Sequence, residues 1–269
     1  MYTITDAAKH LRSAGIADGA REARQIWASI FPANYTDHGE MMDGVFHRRF
    51  SDQVNLRASR VPMSHVLGKR AFYEHTFKVT PDVLDPRPDT EALVIAALEK
   101  PWDRMLDLGT GSGAIAISLL AAREGTTGVA TDKSAAALKV ASQNAHAIEV
   151  AERLVLVEGS WFEPIDKTFD LIVSNPPYIT KREMRSLSPE VLHEPRMALT
   201  DEGDGLSCYR IIAAGAPEHL NAGGWLMVEI GPTQAADVIA MFEVAGLQNV
   251  AIRRDLDGRD RVIVGQKPL

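Results

Sequence analysis

The stretch Met105-Leu-Asp-Leu-Gly109-Thr-Gly111-Ser-Gly113-Ala-Ile constrains this chain more than any other. A strand-like run breaks at three closely spaced glycines and passes directly into a helical pattern, the order found where a parallel strand turns tightly into a helix beneath a ligand. The alternation continues beyond it. Strands are predicted at Arg104 to Leu108, Gly128 to Thr131, Leu154 to Glu158, Leu171 to Ser174, Gly224 to Ile230, Val250 to Arg254 and Arg261 to Val264. Helical spacing falls at Ala114 to Ala122, Ser134 to Ile148, Tyr209 to Leu220 and Gln234 to Ala245. Repeated strand–helix units imply an α/β fold with a seven-stranded, mostly parallel sheet covered by helices on both faces. The last two strands, separated by Asp257-Gly258, read as an antiparallel hairpin closing one edge.

Upstream of this pattern the periodicity is different. From Asp6 to about Leu67 apolar residues recur at threes and fours, including Ala8, Leu11, Ile16, Ala23, Ile26 and Ile30, with breaks at Gly15, Gly19 and Pro32. This predicts a small N-terminal helical bundle. The segment GKRAFYEHTFKVTPDV, from Gly68, shifts to rough alternation of aromatic and β-branched residues, which suits a β-hairpin. The chain of 269 residues is longer than a typical single domain. The expected division is a helical domain over 1–67 that docks substrate, a hairpin connector over 68–84, and the α/β domain over 85–269.

Composition narrows the setting. The single cysteine, Cys208, rules out an intramolecular disulfide and a cysteine-built zinc site, and it fits a reducing compartment. The eight histidines form no HxxH or HxxxH pair, so no metal is expected. The first residues lack the apolar core of a signal peptide, and the longest nearly apolar run, Ala114 to Ala122, is far shorter than the ~20 residues that span a bilayer. A cytoplasmic protein without a membrane partner, and a monomer, is the expectation. A net charge of −7 disfavours a broad nucleic-acid surface. Residues 1–80 nevertheless hold 11 Lys/Arg against 8 Asp/Glu, while the rest hold 18 against 28. The excess of +3 marks the first domain either as a docking face or as ordinary solvated surface.

The glycine loop, Gly109, Thr110, Gly111, Ser112 and Gly113, allows backbone to approach a ligand with its N–H groups facing it. Asp132 ends the following strand, where a carboxylate can accept both ribose hydroxyls or cap the next helix. Trp161, after the third strand, can lie against an adenine ring or plug the core edge. All three features suit S-adenosylmethionine and a nicotinamide or flavin dinucleotide equally. Asp107 either reaches the ligand through water or anchors the turn.

The run Phe169-Asp-Leu-Ile-Val-Ser-Asn175-Pro-Pro-Tyr178 discriminates. Two prolines end the strand, since neither can donate to a sheet and each restricts its predecessor. A stiff loop then offers acceptors. An amide or aromatic amine is planar, with two N–H donors that the Asn175 side-chain oxygen and the Pro176 carbonyl can hold while the nitrogen faces a sulfonium methyl. Those bonds strengthen as charge leaves the nitrogen. Asn175, Pro176 and Tyr178 are the expected catalytic residues, and Asn175 to Tyr178, including Pro177, the substrate pocket, with Tyr178 packed over the flat acceptor to exclude water.

With these motifs the chain resembles the HemK/PrmC family, the peptide chain release factor N5-glutamine methyltransferases. The resemblance extends to VLDPRPDTEAL at 83–93, HEPRMALTDEGDGLSCYRII at 193–212, GGWLMVEIGPTQ at 223–234 and DLDGRDRVIVG at 255–265. It implies a Rossmann-like class I methyltransferase domain behind a helical domain and hairpin. It also implies transfer of a methyl group from S-adenosylmethionine, leaving S-adenosylhomocysteine, to the glutamine amide of a release factor's Gly-Gly-Gln motif. The family's cofactor residues fall on Gly109 to Gly113, Asp132, Trp161 and Asn175, and its loops flanking the amide pocket on Pro86-Arg87-Pro88 and Glu194-Pro195. Three places depart from the family pattern: Pro62 to Gly68, Asp85 where an aliphatic residue is usual, and Ser160 before Trp161. A nucleic-acid amino-group methyltransferase is the alternative on the same tetrapeptide. A dinucleotide enzyme or a noncatalytic adenosyl binder would predict no methyl transfer at all.

Overall fold

A computed structural model describes residues 2–31 and 41–269. Two compact units emerge: one holds the described residues up to Lys69 together with Ser188–His193, and the other holds Arg70–Leu187 and Glu194–Leu269.

The first unit is built from α1 (Ile4–Ser13), α2 (Gly19–Ile30), α3 (Met41–Ala58) and α4 (Met63–Leu67). Thr3 and Asp6 form a reciprocal cap on α1, leaving two fewer orphan donors at its start. Apolar residues at helical spacing, among them Leu11, Ile26, Phe50 and Val54, are fully buried together. Gly15 follows α1 in the left-handed region at φ +79°, as a helix-ending glycine does. Gly19 is no break. It begins α2, and a Cβ there would sit 2.9 Å from the Ala8 carbonyl, so its smallness lets α1 pass close. The break expected at Pro32 lies outside the described residues. Arg57 is buried between two carboxylates, Glu22 at 2.6 Å and Glu190 at 3.2 Å, the latter from the returning segment.

A short ribbon follows, formed by β1 (Lys69–Phe72), which lies in the second unit from Arg70 on, and β2 (His75–Lys78). The seven-stranded sheet follows from β3 (Arg104–Leu108), β4 (Thr127–Asp132), β5 (Leu154–Glu158), β6 (Phe169–Ser174), β7 (Leu220–Glu229), β8 (Gln248–Arg254) and β9 (Asp260–Gln266), in the order β5-β4-β3-β6-β7-β9-β8. Strands β3 to β7 run parallel, and β9 is antiparallel to both β7 and β8. Alternation sends Met105, Val173 and Met227 to one face and Leu106, Ile172 and Val228 to the other. The first face is covered by α5 (Glu91–Leu98), α6 (Ala114–Ala122) and α7 (Ala135–Ala147), the second by α8 (Ser207–His219) and α9 (Ala235–Val244). Helix α5 had no counterpart in the sequence reading: EALVIAAL is apolar nearly all round and gives no amphipathic stripe.

The strand order places the site. The chain builds β3, β4 and β5 outward, then returns to lay β6 on the other side of β3. Leu108 therefore pairs with Ser174 across the reversal point, and the glycine loop and Asn175 emerge side by side one residue later.

Candidate active site

Beyond the carboxyl ends of β3, β4 and β6 lies a cavity of about 570 Å³. Gly109, Gly111, Asp132, Trp161, Asn175 and Pro177 wall it, with residues drawn from the 82–84 and 195–202 segments. The structure thus gathers six of the site residues expected from sequence on one surface. Thr110, Ser112, Gly113, Pro176 and Tyr178 are not part of that wall.

Gly109, Gly111 and Gly113 all take left-handed backbone, with φ of +72°, +56° and +82°. A side chain is strained there. Four N–H groups of the loop already have partners within the protein. Those of Gly109 and Thr110 both donate to the Thr131 carbonyl at 2.9 Å, that of Gly111 to Asp132 Oδ2 at 2.8 Å, and that of Gly113 to the Thr110 carbonyl at 2.9 Å. The loop's contribution is close approach. A Cβ built on Gly111 meets no protein atom within 4 Å, whereas one on Gly113 would meet Ile117 Cδ1 at 2.6 Å. Gly113 is therefore a packing glycine, at the N-cap of α6.

Asp107 serves the turn: its buried carboxylate accepts from the Thr110 hydroxyl at 2.6 Å. Burial pushes its carboxyl up to about 7, against the pull of that bond. The Asp132 carboxylate takes Gly111 N–H on one oxygen and Ser134 N–H, at 2.9 Å, on the other. Ser134, rather than Asp132, caps α7, accepting from Ala137 N–H. Burial raises the Asp132 carboxyl despite these bonds. Trp161 adopts a left-handed φ of +50°, uncommon for a bulky residue, and its ring stands beside Gly109, 3.8 Å from where a Cβ would lie. Asn144, which drew no notice in the sequence, is buried beneath the loop. Its amide donates to the Ser112 carbonyl at 2.8 Å and exchanges two bonds with the Lys78 backbone, tying the β-ribbon to the glycine turn.

Asn175 is half-buried and Pro176 fully buried. Ser174 locks the strand end by donating to the Leu108 carbonyl at 2.7 Å, and Asn175 Nδ2 donates to the Thr90 hydroxyl at 3.2 Å, which leaves Oδ1 free of that contact. Tyr178 lines a neighbouring cavity of about 380 Å³ instead of covering the first. Burial pushes its phenol well above the ordinary value, with the Glu229 carboxylate adding to the effect. Its carbonyl accepts from Gln234 Nε2 at 3.0 Å, and the next residue, Ile179, donates to the Leu199 carbonyl at 2.9 Å. That second contact ties the tetrapeptide to the cavity's 195–202 wall.

The flanking loops hold each other. Glu194 Oε2 accepts from Asp85 N–H at 3.2 Å and Glu194 Oε1 from the Arg87 guanidinium, while Asp85 lies 3.7 Å from both Arg70 and Arg87. The unusual carboxylate at 85 is thus buried between two arginines. His193 bonds the Ser59 carbonyl at 3.1 Å, so His193 and Glu194 serve different partners and make no acid–base pair. Asp201, also unanticipated, gathers Gly203, Gly205 and Ser207 N–H and the Ser207 hydroxyl within 3.0 Å; against burial, these bonds hold its carboxyl below the ordinary range.

Residues 84–208 match the Methyltransferase small domain family. A release factor glutamine methyltransferase of Cereibacter sphaeroides is 48% identical over 267 residues, 97% of this chain and 96% of its own length. Another, of Caulobacter vibrioides, is 38% identical, with 98% of this chain and 94% of its own length covered. A crystal structure of a methyltransferase from Pyrococcus furiosus superposes with a TM-score of 0.55 at 18% identity, covering 72% of this chain and 89% of that one. That likeness fixes the fold as a class I methyltransferase fold, as the resemblance implied.

Proposed function

We infer, from the premise that this chain belongs to the release factor glutamine methyltransferase family, that it transfers a methyl group from S-adenosylmethionine to the side-chain amide of a release factor glutamine in a Gly-Gly-Gln motif. The observation that supports the chemistry is the placement of Asn175 on the same cavity wall as Gly109, Gly111 and Asp132.

The cavity suits the methyl donor. Its volume lies within the roughly 300–1,000 Å³ usual for small-molecule sites. The open space beside Gly111 admits a ligand where any side chain would intrude. Asp132 would take the ribose hydroxyls on lone pairs its two backbone bonds leave free, and Trp161 would face the adenine. When bound, S-adenosylmethionine supplies a methyl group on a positively charged sulfur.

The chain's own work is alignment. Asn175 Oδ1 and the Pro176 carbonyl would accept the two hydrogens of the glutamine amide and hold its nitrogen in line for attack. As the nitrogen's lone pair is drawn into the new N–C bond, those hydrogens become more acidic and both bonds tighten. One proton then leaves to water, so no strong base is required. Pro177 stiffens the loop and Tyr178 anchors its far end.

The first unit would dock the protein substrate, and the ribbon, with which residues 1–80 reach a balance of +3, would join it to the catalytic unit. The enzyme would act as a cytoplasmic monomer without a nucleic-acid partner. Among the described residues no helix is long and apolar enough to cross a membrane, and no group of three or more His, Cys, Asp or Glu gathers as a metal site.

Methyl-labelled S-adenosylmethionine with a Gly-Gly-Gln release factor is the test. Label is expected on that glutamine and absent when it is replaced. Label on RNA or DNA alone would establish the nucleic-acid reading instead, and displacement of the donor by NAD with no transfer would establish the dinucleotide one.

A further inference from the structure

A strand that runs into Asn175-Pro176-Pro177-Tyr178 has little freedom left to lose. Each proline fixes its own φ at about −65° and keeps its predecessor extended, so Asn175 and Pro176 are restrained by the sequence itself. The Ser174 hydroxyl holds the entry to the loop, donating to the Leu108 carbonyl at 2.7 Å. No proline restrains the exit. The turn from Pro177 into Tyr178 is where the course of the loop, and with it the direction of the Pro176 carbonyl, still has to be set.

Gln234 stands at that exit. It lies between β7 and α9, is 8% exposed, and has both ends of its side-chain amide engaged. Nε2 donates to the Tyr178 carbonyl at 3.0 Å and to the Gly205 carbonyl at 3.1 Å. Oε1 accepts from Gly231 N–H at 2.9 Å, and the Tyr209 hydroxyl, from α8, stands 3.2 Å from it. A carbonyl only accepts and a backbone N–H only donates, so the amide fits one way round. On the other side of the same peptide bond, Ile179 N–H donates to the Leu199 carbonyl at 2.9 Å. The peptide group joining Tyr178 to Ile179 is therefore gripped at its oxygen and at its nitrogen, by partners from two separate segments.

Two glycines let the grip close. A Cβ on Gly205, which takes a left-handed φ of +76°, would overlap the Tyr178 carbonyl oxygen. One on Gly231 would stand 2.9 Å from Gln234 Oε1 and 3.2 Å from Tyr178 Cδ2. Gln234 is not on the wall of the cavity of about 570 Å³; it lines the neighbouring one, together with Tyr178.

We propose that Gln234 is a positioning residue for methyl transfer: by drawing the Tyr178 and Gly205 carbonyls onto one amide it fixes the free end of the tetrapeptide, and so aims the Pro176 carbonyl at the acceptor nitrogen. The inference rests on the reading of Asn175 Oδ1 and the Pro176 carbonyl as the amide's two acceptors.

The test compares wild type with Gln234→Met and Gln234→Glu, using labelled donor and a saturating Gly-Gly-Gln release factor, with active sites counted by donor binding. Gln234→Met keeps the length of the side chain and removes its donors. It should lower kcat by about tenfold to a hundredfold, the scale of a misaligned reacting group, at every pH, while donor Kd moves less than about twofold. Gln234→Glu keeps the shape and makes the outcome depend on a proton. As a carboxylate it sets an oxygen against two carbonyls; once protonated, which burial among acceptors favours, it donates to one of them again. Its kcat relative to wild type should therefore climb at least about threefold from about pH 9 to about pH 6, a recovery that the methionine variant cannot show. Wild-type kcat in Gln234→Met, a Gln234→Glu ratio that is flat with pH, or a loss of donor affinity as large as the loss of kcat overturns the proposal. Should Gln234→Met fail to fold, the Gln234→Glu profile decides alone, because its protonated form keeps the shape, the neutrality and one donor. No transfer to the glutamine by wild type overturns the parent reading and this inference with it, whereas transfer by wild type with unaffected variants overturns this inference alone.

Discussion

Two loops leave the sheet side by side, and they are built by opposite means. The glycine loop after β3 takes left-handed backbone at three residues, gives four of its N–H groups to Thr131, Asp132 and Thr110, and contributes to the cavity by what it lacks. The Asn-Pro-Pro-Tyr loop after β6 cannot bend in that way, and on the proposed reading it contributes by what it would offer: the Asn175 side-chain oxygen and the Pro176 carbonyl. One makes room and the other points. Beneath each lies a buried carboxylate with a raised pKa, Asp107 under the first and Glu229 under the second.

If that division is right, damage to the two loops should separate cleanly. Asn175→Ala should cost on the order of 10²–10³ in kcat, the scale for an oriented polar stabiliser, while donor affinity measured by calorimetry changes far less. Equal losses in both would merge the two roles.

The paired carboxylates make the next largest effect. Each has a folded pKa above its unfolded value, so the folded state retains protons that the unfolded chain has already released, and stability falls as pH rises from about 4.5 toward about 7. The loss for each group is at most roughly 3–4 kcal/mol, from the energy of a unit shift. Asp170, Glu190 and Asp201, whose carboxyls are held low, act in the other sense: their contribution is lost only as pH falls below the ordinary carboxylate range. Urea unfolding between pH 5 and 8 should show the decline, and Asp107→Asn or Glu229→Gln should each flatten it. A flat wild-type profile would remove the carboxylates from the comparison.

Asp132→Asn leaves one acceptor oxygen where Gly111 and Ser134 N–H now use two. Donor Kd should rise about tenfold to a hundredfold, as for a hydrogen bond to a charged group, with kcat at saturation preserved. Smaller effects sharpen the contrast within the loops. Gly111→Ala meets open space but a forbidden φ and should cost about 1–2 kcal/mol of stability, while Pro177→Ala relaxes its loop and should cost about 0.4–1 kcal/mol. Thermal melts would rank them, and the reverse order would mean that the proline loop, not the glycine loop, is the more strained.

Much of this was legible from residues alone. Helix α6 and strands β3 and β5 occupy the spans their periodicity indicates, and Asp257-Gly258 turns the last hairpin, with Asp255 accepting from Asp257 and Arg259 N–H. What stayed hidden was what a one-dimensional pattern does not encode. Tyr178 follows the prolines directly, yet its carbonyl is held by Gln234, more than fifty residues away. The Gly109 and Thr110 N–H groups of the glycine loop depend on Thr131, a partner on another strand. Glu229 did leave a mark, since a carboxylate ending an otherwise apolar strand is costly unless it has a use. Nothing comparable singles out Thr90 or Asn144.

The returning segment, Ser188–His193, bears on how such an enzyme can be taken apart. Glu190 lies 2.7 Å from Arg60 and 3.2 Å from Arg57, and those arginines belong to the chain's first seventy residues. A unit threaded by two separate stretches cannot be excised with one pair of scissors. Cutting at the ribbon would strand Arg57 as a buried cation with one partner gone, so a gene fragment encoding either unit is not an interchangeable cassette.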